Sequence, residues 1–187
     1  SQLLRRSPNH IRGNLLMGYT LRERGLIYHS LQYFDKVAQL DPLEPWSYTA
    51  RGMAEWYLGR IDSAFSEYEK ALLLEPNDSE TLSFYIGALL QARIVEKAEK
   101  LLAQLKTLRS DSRIVMYESW LLALKGQVNE AVRYVEKIPD DTFARMVLDI
   151  LLGDTESAVA YMVERQKKEA TDYAISRYLH LKNHPFY

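Results

Sequence analysis

A spacing of 34 residues recurs through the first half of the chain and restricts it to a stack of similar units. Gly18 and Gly52 are 34 apart, as are Gly25 and Gly59, Leu40 and Leu74, and Pro42 and Pro76. Phe34 answers in the same way to Tyr68, Val37 to Ala71, Lys36 to Lys70 and Asp41 to Glu75. The fullest statement of the unit runs from Tyr48 to Pro76, YTARGMAEWYLGRIDSAFSEYEKALLLEP. It reads as two short amphipathic helices meeting at Gly59-Arg60. Leu, Ala, Glu, Lys and Arg dominate the chain, and NG or DG hairpin turns are absent, so the expected class is all-helical.

Each recurring place has a physical reason. Gly18 and Gly52 add no side chain where the first helix of a unit (helix A) must approach its neighbour. Gly25 and Gly59 supply the left-handed residue that ends helix A. Five residues later a small residue marks the tight contact inside the hairpin, and this mark persists downstream at Ser30, Ala64, Ala98, Ala131 and Ala158. The spacings are 34, 34, 33 and 27, so the last units are eroded or shortened. Arg93 stands where a turn glycine is expected. Phe34 and Tyr68 are expected to fill the hole between adjacent units, and Pro42 and Pro76 to stop helix B and set up the next helix. The pattern predicts helices over 9–24 and 27–40, 45–58 and 61–74, 79–92 and 95–108, 112–125 and 128–138, then 141–152 and 155–169. Asn77 followed by Glu80 reads as a capping box opening the third unit.

A helix–turn–helix period of 34 with glycine, small, aromatic and proline places resembles the tetratricopeptide repeat (TPR) family, most fully over residues 11–78. The resemblance implies a right-handed α-solenoid of stacked antiparallel helix pairs, the TPR superhelix. Residues 1–8 are then the tail of a preceding repeat helix, since Pro8 lies 34 before Pro42. Residues 9–170 form about five TPR-like hairpins, the last two irregular, and 171–187 a capping helix and tail. The chain is accordingly expected to be a fragment of a larger bacterial protein, with a further repeat upstream. Its closing run YLHLKNHPFY is similar to the final segment of bacterial TPR-ended signalling proteins.

Charge and motif content narrow the function. With 24 basic and 25 acidic residues and no Lys/Arg-rich block, the footprint of a nucleic-acid binder is missing. The absence of cysteine excludes disulfides and thiolate chemistry. No apolar run approaches the roughly 18 uncharged residues of a membrane span, so no membrane insertion is expected. His180 and His184 could share a helix face, but HLKNH lacks the glutamate of a zinc protease and reads as part of a terminal cap. Glu67, Glu69, Glu96 and Glu99 interleave with lysines at helical spacing, as on a solvated face. The expectation is no enzyme, no metal and no cofactor, in a cytoplasmic setting with an exported one left open.

The resemblance places residues 2, 5, 9, 12 and 13 of each unit on a concave groove lined by the A helices. Candidates are Arg12, Leu15, Tyr19, Arg22 and Glu23, then Trp46, Thr49, Met53, Trp56 and Tyr57. The third unit offers Glu80, Ser83, Gly87, Leu90 and Gln91, and the fourth Arg113, Met116, Trp120, Ala123 and Leu124. Tyr19, Trp46, Met53, Trp56, Met116 and Trp120 are read as an apolar floor flanked by Arg12, Arg22 and Arg113. Trp56 and Tyr57 fit either groove or inter-repeat core. Leu15 and Tyr19 stand where chaperone-tail clamps carry polar residues, so an apolar or amphipathic peptide or helix of a partner protein suits these residues better. The expected function is therefore a protein–protein interaction module. The alternative is a self-associating homodimer arm, or a regulatory sensor attached to an upstream signalling or DNA-binding domain.

Overall fold

The computed structural model describes residues 2–138 and 142–168, which fall into two compact units, 2–81 and 82–168. In the first unit a short helix α1 (Gln2–Arg6) precedes two hairpins, α2 (Ile11–Glu23) with α3 (Ile27–Leu40) and α4 (Pro45–Tyr57) with α5 (Ile61–Leu74). Helix α6 (Ser79–Gln91) crosses from the first unit into the second. The second unit continues with α7 (Val95–Leu108), α8 (Ser112–Leu124), α9 (Val128–Val135), α10 (Thr142–Leu152) and α11 (Thr155–Lys168). The fold is all-α, built of antiparallel helix pairs of the solenoid class. The capping helix expected over 171–187 lies outside the described residues, as does the histidine pair.

Every hairpin turn is built in one way. Gly25, Gly59, Gly126 and Gly153 take φ between 73° and 85°, and Arg93 takes 58°. At each, the left-handed residue's N–H bonds three residues back and the following N–H bonds five back. In the first hairpin these bonds run from Gly25 N to Arg22 O at 2.9 Å and from Leu26 N to Leu21 O at 2.9 Å. This Schellman closure satisfies two carbonyls that the helix end would leave open. Arg93 bears a side chain in a conformation that costs a non-glycine residue about 1 kcal/mol or more. Its guanidinium has a compensating use, because Nη2 donates 3.1 Å to the carbonyl of Leu151 in the last turn of α10. A cation at a helix C-terminus is favoured by the helix dipole.

The connections between hairpins also repeat. Ser7 O, Asp41 O and Glu75 O accept from His10 N, Glu44 N and Asp78 N at 3.1–3.2 Å. Each closes a β-turn whose second residue is proline, where a fixed φ favours the turn. The fourth residue of each turn then caps the next helix. His10 Nδ1 accepts from Gly13 N at 3.0 Å, Glu44 Oε1 from Trp46 N at 3.2 Å, and Asp78 Oδ2 from Thr81 N at 2.9 Å. The prolines thus shape a turn as well as end a helix. The cap of α6 is Asp78, not the Asn77–Glu80 pair read from the sequence. For the same reason α2 starts at Ile11 rather than residue 9, since Pro8 to His10 are spent in the turn.

The glycines of the A helices and the aromatics of the B helices form one contact. A Cβ at Gly52 would lie 2.8 Å from the Tyr68 ring, and one at Gly18 would collide with Phe34. Phe34 also joins the cluster of Ile27, Ala50 and Ala54 that binds α3 to α4, with Leu15, Tyr19 and Tyr57 packed around it. The small residues Ser30, Ala64, Ala98, Ala131 and Ala158 are all buried at the hairpin contacts. In the second unit α9 has eight residues against fourteen in α3, α5 and α7, so the shortened spacing is a shortened second helix. The part of α6 in this unit is buried almost all round, as its unbroken apolar run requires.

Candidate functional site

In the first unit the expected stripes lie on α2 and α4. Arg12, Tyr19 and Arg22 follow one another at seven and three residues, and Trp46 and Met53 at seven, so each set shares a helix face. The two faces meet. The Arg22 guanidinium lies over the Tyr19 ring, 5.2 Å from its centroid, and its Nη1 donates 3.1 Å to Met53 Sδ. Tyr19 packs its ring against Phe34, centroids 5.4 Å apart. Burial pushes the Tyr19 hydroxyl pKa up, Arg22 opposes this and the Glu44 carboxylate adds to it. Tyr19, Arg22, Trp46 and Met53 are half-buried, and Arg12 is exposed.

Other candidates face inward. Thr49 is buried, with its hydroxyl 2.6 Å from that of Thr81. The Thr81 hydroxyl also bonds to Asp78 and the Thr49 hydroxyl donates 3.3 Å to Pro45 O, so the Thr49 side chain is spent between α4 and α6. Trp56, 8% exposed, stacks on Phe65 of α5 at 6.3 Å, which answers the groove-or-core alternative in favour of the hairpin interior. Tyr57 is half-buried against the α3–α4 cluster.

The second unit turns nearly all of its candidates into core. Trp120 is 1% exposed, meets Tyr117 and Phe143 edge-on at 5.7 and 6.0 Å, and donates Nε1 to Ala144 O at 2.9 Å. Met116 is buried beside it on the same helix. Ser83 and Gly87 lie under Tyr117, whose hydroxyl donates 2.7 Å to Ser83 O and stands 3.7 Å from the place of a Gly87 Cβ. Leu90 and Gln91 are buried too. The reason is shared: an A helix must cover the next A helix as well as its own B helix, and large side chains at this seam are consumed by it. Arg113, Ala123 and Leu124 stay part-exposed, Arg113 near its N-cap Asp111 at 3.9 Å.

Sequence reasoning did not find the ionic chain that ties three helices of the first unit. Asp35 of α3 meets Arg51 of α4 at 3.1 Å, Arg51 reaches Glu67 of α5 at 3.5 Å, and Glu67 meets Lys70 at 2.8 Å. Helical spacing puts Glu67 on a solvated face, but the residue is buried. Lys70 is the neighbour that helical counting supplies, but Arg51 lies on another helix, where i,i+4 counting does not look. In the second unit Asp149, 3% exposed, is paired with Arg145 Nε at 2.9 Å. Burial pushes its pKa up, more than Arg145 draws it down. A carboxyl with a raised folded pKa weakens the fold as pH rises from the unfolded value of about 3.9 through the folded one. Asp149→Asn is therefore expected to raise the thermal midpoint at pH 7 by about 2 °C and to have no effect at pH 3. Asp154 works in the other sense. Hydrogen bonds from Ser157 lower its pKa, so its contribution is present above the unfolded value and lost as pH falls through the folded one. Calorimetry of the variant across pH 3–7 checks the sign.

Among the described residues no group of three His, Cys, Asp or Glu side chains could hold a metal ion. No described helix is long and apolar enough to cross a membrane.

The profile of the family described as "Tetratricopeptide repeat" matches residues 47–78. No curated protein matches the chain in sequence. Among solved structures, a thermophilic TPR protein of Thermus thermophilus superposes with a TM-score of 0.69 at 15% identity, covering 92% of this chain and 98% of that one. YrrB, described as a TPR protein with an unusual peptide-binding site, gives 0.61 at 16% identity over 93% and 94% of the two chains. MamA of Desulfovibrio magneticus RS-1, from residue 41 to its end, gives 0.61 at 16% identity over 87% and 97%. Residues 47–78 therefore carry a tetratricopeptide repeat, the same turns and caps recur on either side of it, and the chain has the fold of solved TPR proteins.

Proposed function

We propose that the chain is a protein-interaction module whose first unit receives a segment of a partner protein on the shared face of α2 and α4. The observation that carries this reading is the meeting of Tyr19, Arg22 and Met53 at a half-buried surface. Arg and Tyr are among the side chains that dominate binding energy, and Met adapts its shape to an apolar partner. Trp46 stands two turns before Met53 on the same face, adding a half-exposed indole. The neighbouring fold whose description names a peptide-binding site supports the same reading by analogy.

A displayed library of random peptides, selected on the whole chain, tests it. Selected peptides are expected to bind one to one, and to lose about tenfold in affinity on Met53→Ala or Trp46→Ala, with circular dichroism unchanged. Binding indifferent to both variants would place the segment elsewhere. A stable dimer in sedimentation that selects no peptide would favour the self-associating arm instead.

A further inference from the structure

We infer that two copies of this chain pair across the connecting turns of the first unit, in a two-fold dimer centred on Leu43. The starts of α2, α4 and α6 lie side by side along one edge. Leu15 and Tyr19 of α2 pack on the cluster that holds Ala50 and Ala54 of α4, and Thr49 of α4 touches Thr81 of α6 at 2.6 Å. Each of these helices is entered through the same proline turn, so the edge is a row of three turns about 20 Å long. Its charge changes sign from end to end. Residues 1–22 hold four arginines and no acid, and residues 71–81 hold three acids and no base. Arg5, Arg6 and Arg12 are exposed around the first turn and Glu75 at the third, none with an ion-pair partner among the described residues.

The middle turn is apolar on its outer side. Asp41 Oδ1 accepts from Leu43 N at 3.1 Å and Glu44 Oε1 from Trp46 N at 3.2 Å, so both carboxylates are folded back on their own backbone. Tyr48 also donates its hydroxyl to Pro42 O at 2.9 Å. The turn is thus fixed with Leu43 standing out, 73% exposed, and Leu40 and Leu74, at the entries to the middle and third turns, are exposed as well. A leucine presented on a fixed turn loses little freedom when it is covered. Basic, apolar and acidic in sequence, the strip is complementary to itself when turned end for end. A two-fold axis at Leu43 sets it against Leu43 of the second copy and brings each basic end to the other's acidic end. Such complementarity selects the partner and fixes the register. A row this short buries less than the ~800 Å² per partner of a standard interface, so the dimer is weak, dissociating at about 10–100 µM. The strip does not include Tyr19, Trp46 or Met53, so pairing here does not use up the peptide-docking face.

Sedimentation equilibrium of the whole chain across about 1–300 µM, at low and high salt, reads the pairing. A monomer–dimer equilibrium is expected, about tenfold weaker at high salt because exposed charges are screened. Leu43→Asp should leave a monomer with unchanged circular dichroism, since the side chain it replaces is exposed. Arg12→Glu and Glu75→Lys each set like charges against one another at both ends of the pair, and each should weaken dimerisation about tenfold. Both reversals suit the helix ends they occupy, an acid in the first turn of α2 and a base at the end of α5, so folding is kept. Mixed in equal amounts, the two variants should form a heterodimer as tight as the natural pair, because each reversed charge then meets the other. Recovery on mixing supports the two-fold strip. A mixture that fails to recover overturns it, as does a dimer that ignores Leu43→Asp. A chain that stays monomeric throughout overturns it too and leaves the strip to a different protein; if that monomer still binds selected peptides through Met53, the docking face stands without the dimer.

Discussion

Replacing Trp120 with alanine is expected to cost the second unit about 4 kcal/mol, the largest single-site loss in its core. The indole is 1% exposed and fills the seam between α8 and α10, edge-on to both Tyr117 and Phe143. Its removal leaves a cavity bounded by two aromatic rings, and it takes away the donor that Ala144 O accepts from at 2.9 Å. Trp120→Phe separates the two contributions. It keeps most of the apolar area and loses the N–H, so about 1–1.5 kcal/mol is expected. The contrast is Trp46→Ala, where a half-buried ring at the surface should cost about 1 kcal/mol or less. Urea unfolding followed by circular dichroism measures all three. A loss below about 1 kcal/mol for Trp120→Ala would return this residue to the binding surface.

That contrast marks where the sequence is informative and where it is not. The 34-residue skeleton was legible because each of its parts acts locally. A left-handed residue, a proline turn and a small residue at a crossing declare themselves within a few positions, which is why the described helices fall near the expected bounds. The caps were legible in principle. His10, Glu44 and Asp78 are themselves 34 apart, and that spacing would have chosen Asp78 over its neighbour Asn77. The binding face was half legible. Residue types on α2 and α4 pointed to Tyr19, Arg22 and Met53, but no local pattern says that Arg22 ends on a sulfur and a ring instead of an acid. The second unit departs from its pattern for a physical reason. Ser83, Gly87, Met116 and Trp120 sit at groove numbers of an ideal repeat, but where α8 covers α6 and α10 covers α8 the same side chains become seam. How tightly one A helix lies on the next is a tertiary property, and helical periodicity does not carry it.

The most demanding test of the repeat logic lies at Gly52, where isoleucine is expected to destabilise the first unit by about 3 kcal/mol. A Cβ there already falls 2.8 Å from the Tyr68 ring and 3.2 Å from the carbonyl oxygen of Ala64. The ring can give way, but the backbone oxygen is fixed by its helix, so a branched side chain has no free direction. One repeat later the same two places hold Ile86 and Leu102, both buried. The fold therefore fills this crossing in two ways, with nothing against a large ring or with two medium aliphatic chains. Tyr68→Leu alone should cost about 2 kcal/mol by opening a hole over Gly52. The double variant Gly52→Ile, Tyr68→Leu rebuilds the third repeat's pair in the second repeat, and its cost should fall to about 1 kcal/mol instead of the sum of the two. Additive losses in a double-mutant cycle would show that the two residues do not share one volume, and that the glycine serves some contact other than the aromatic ring.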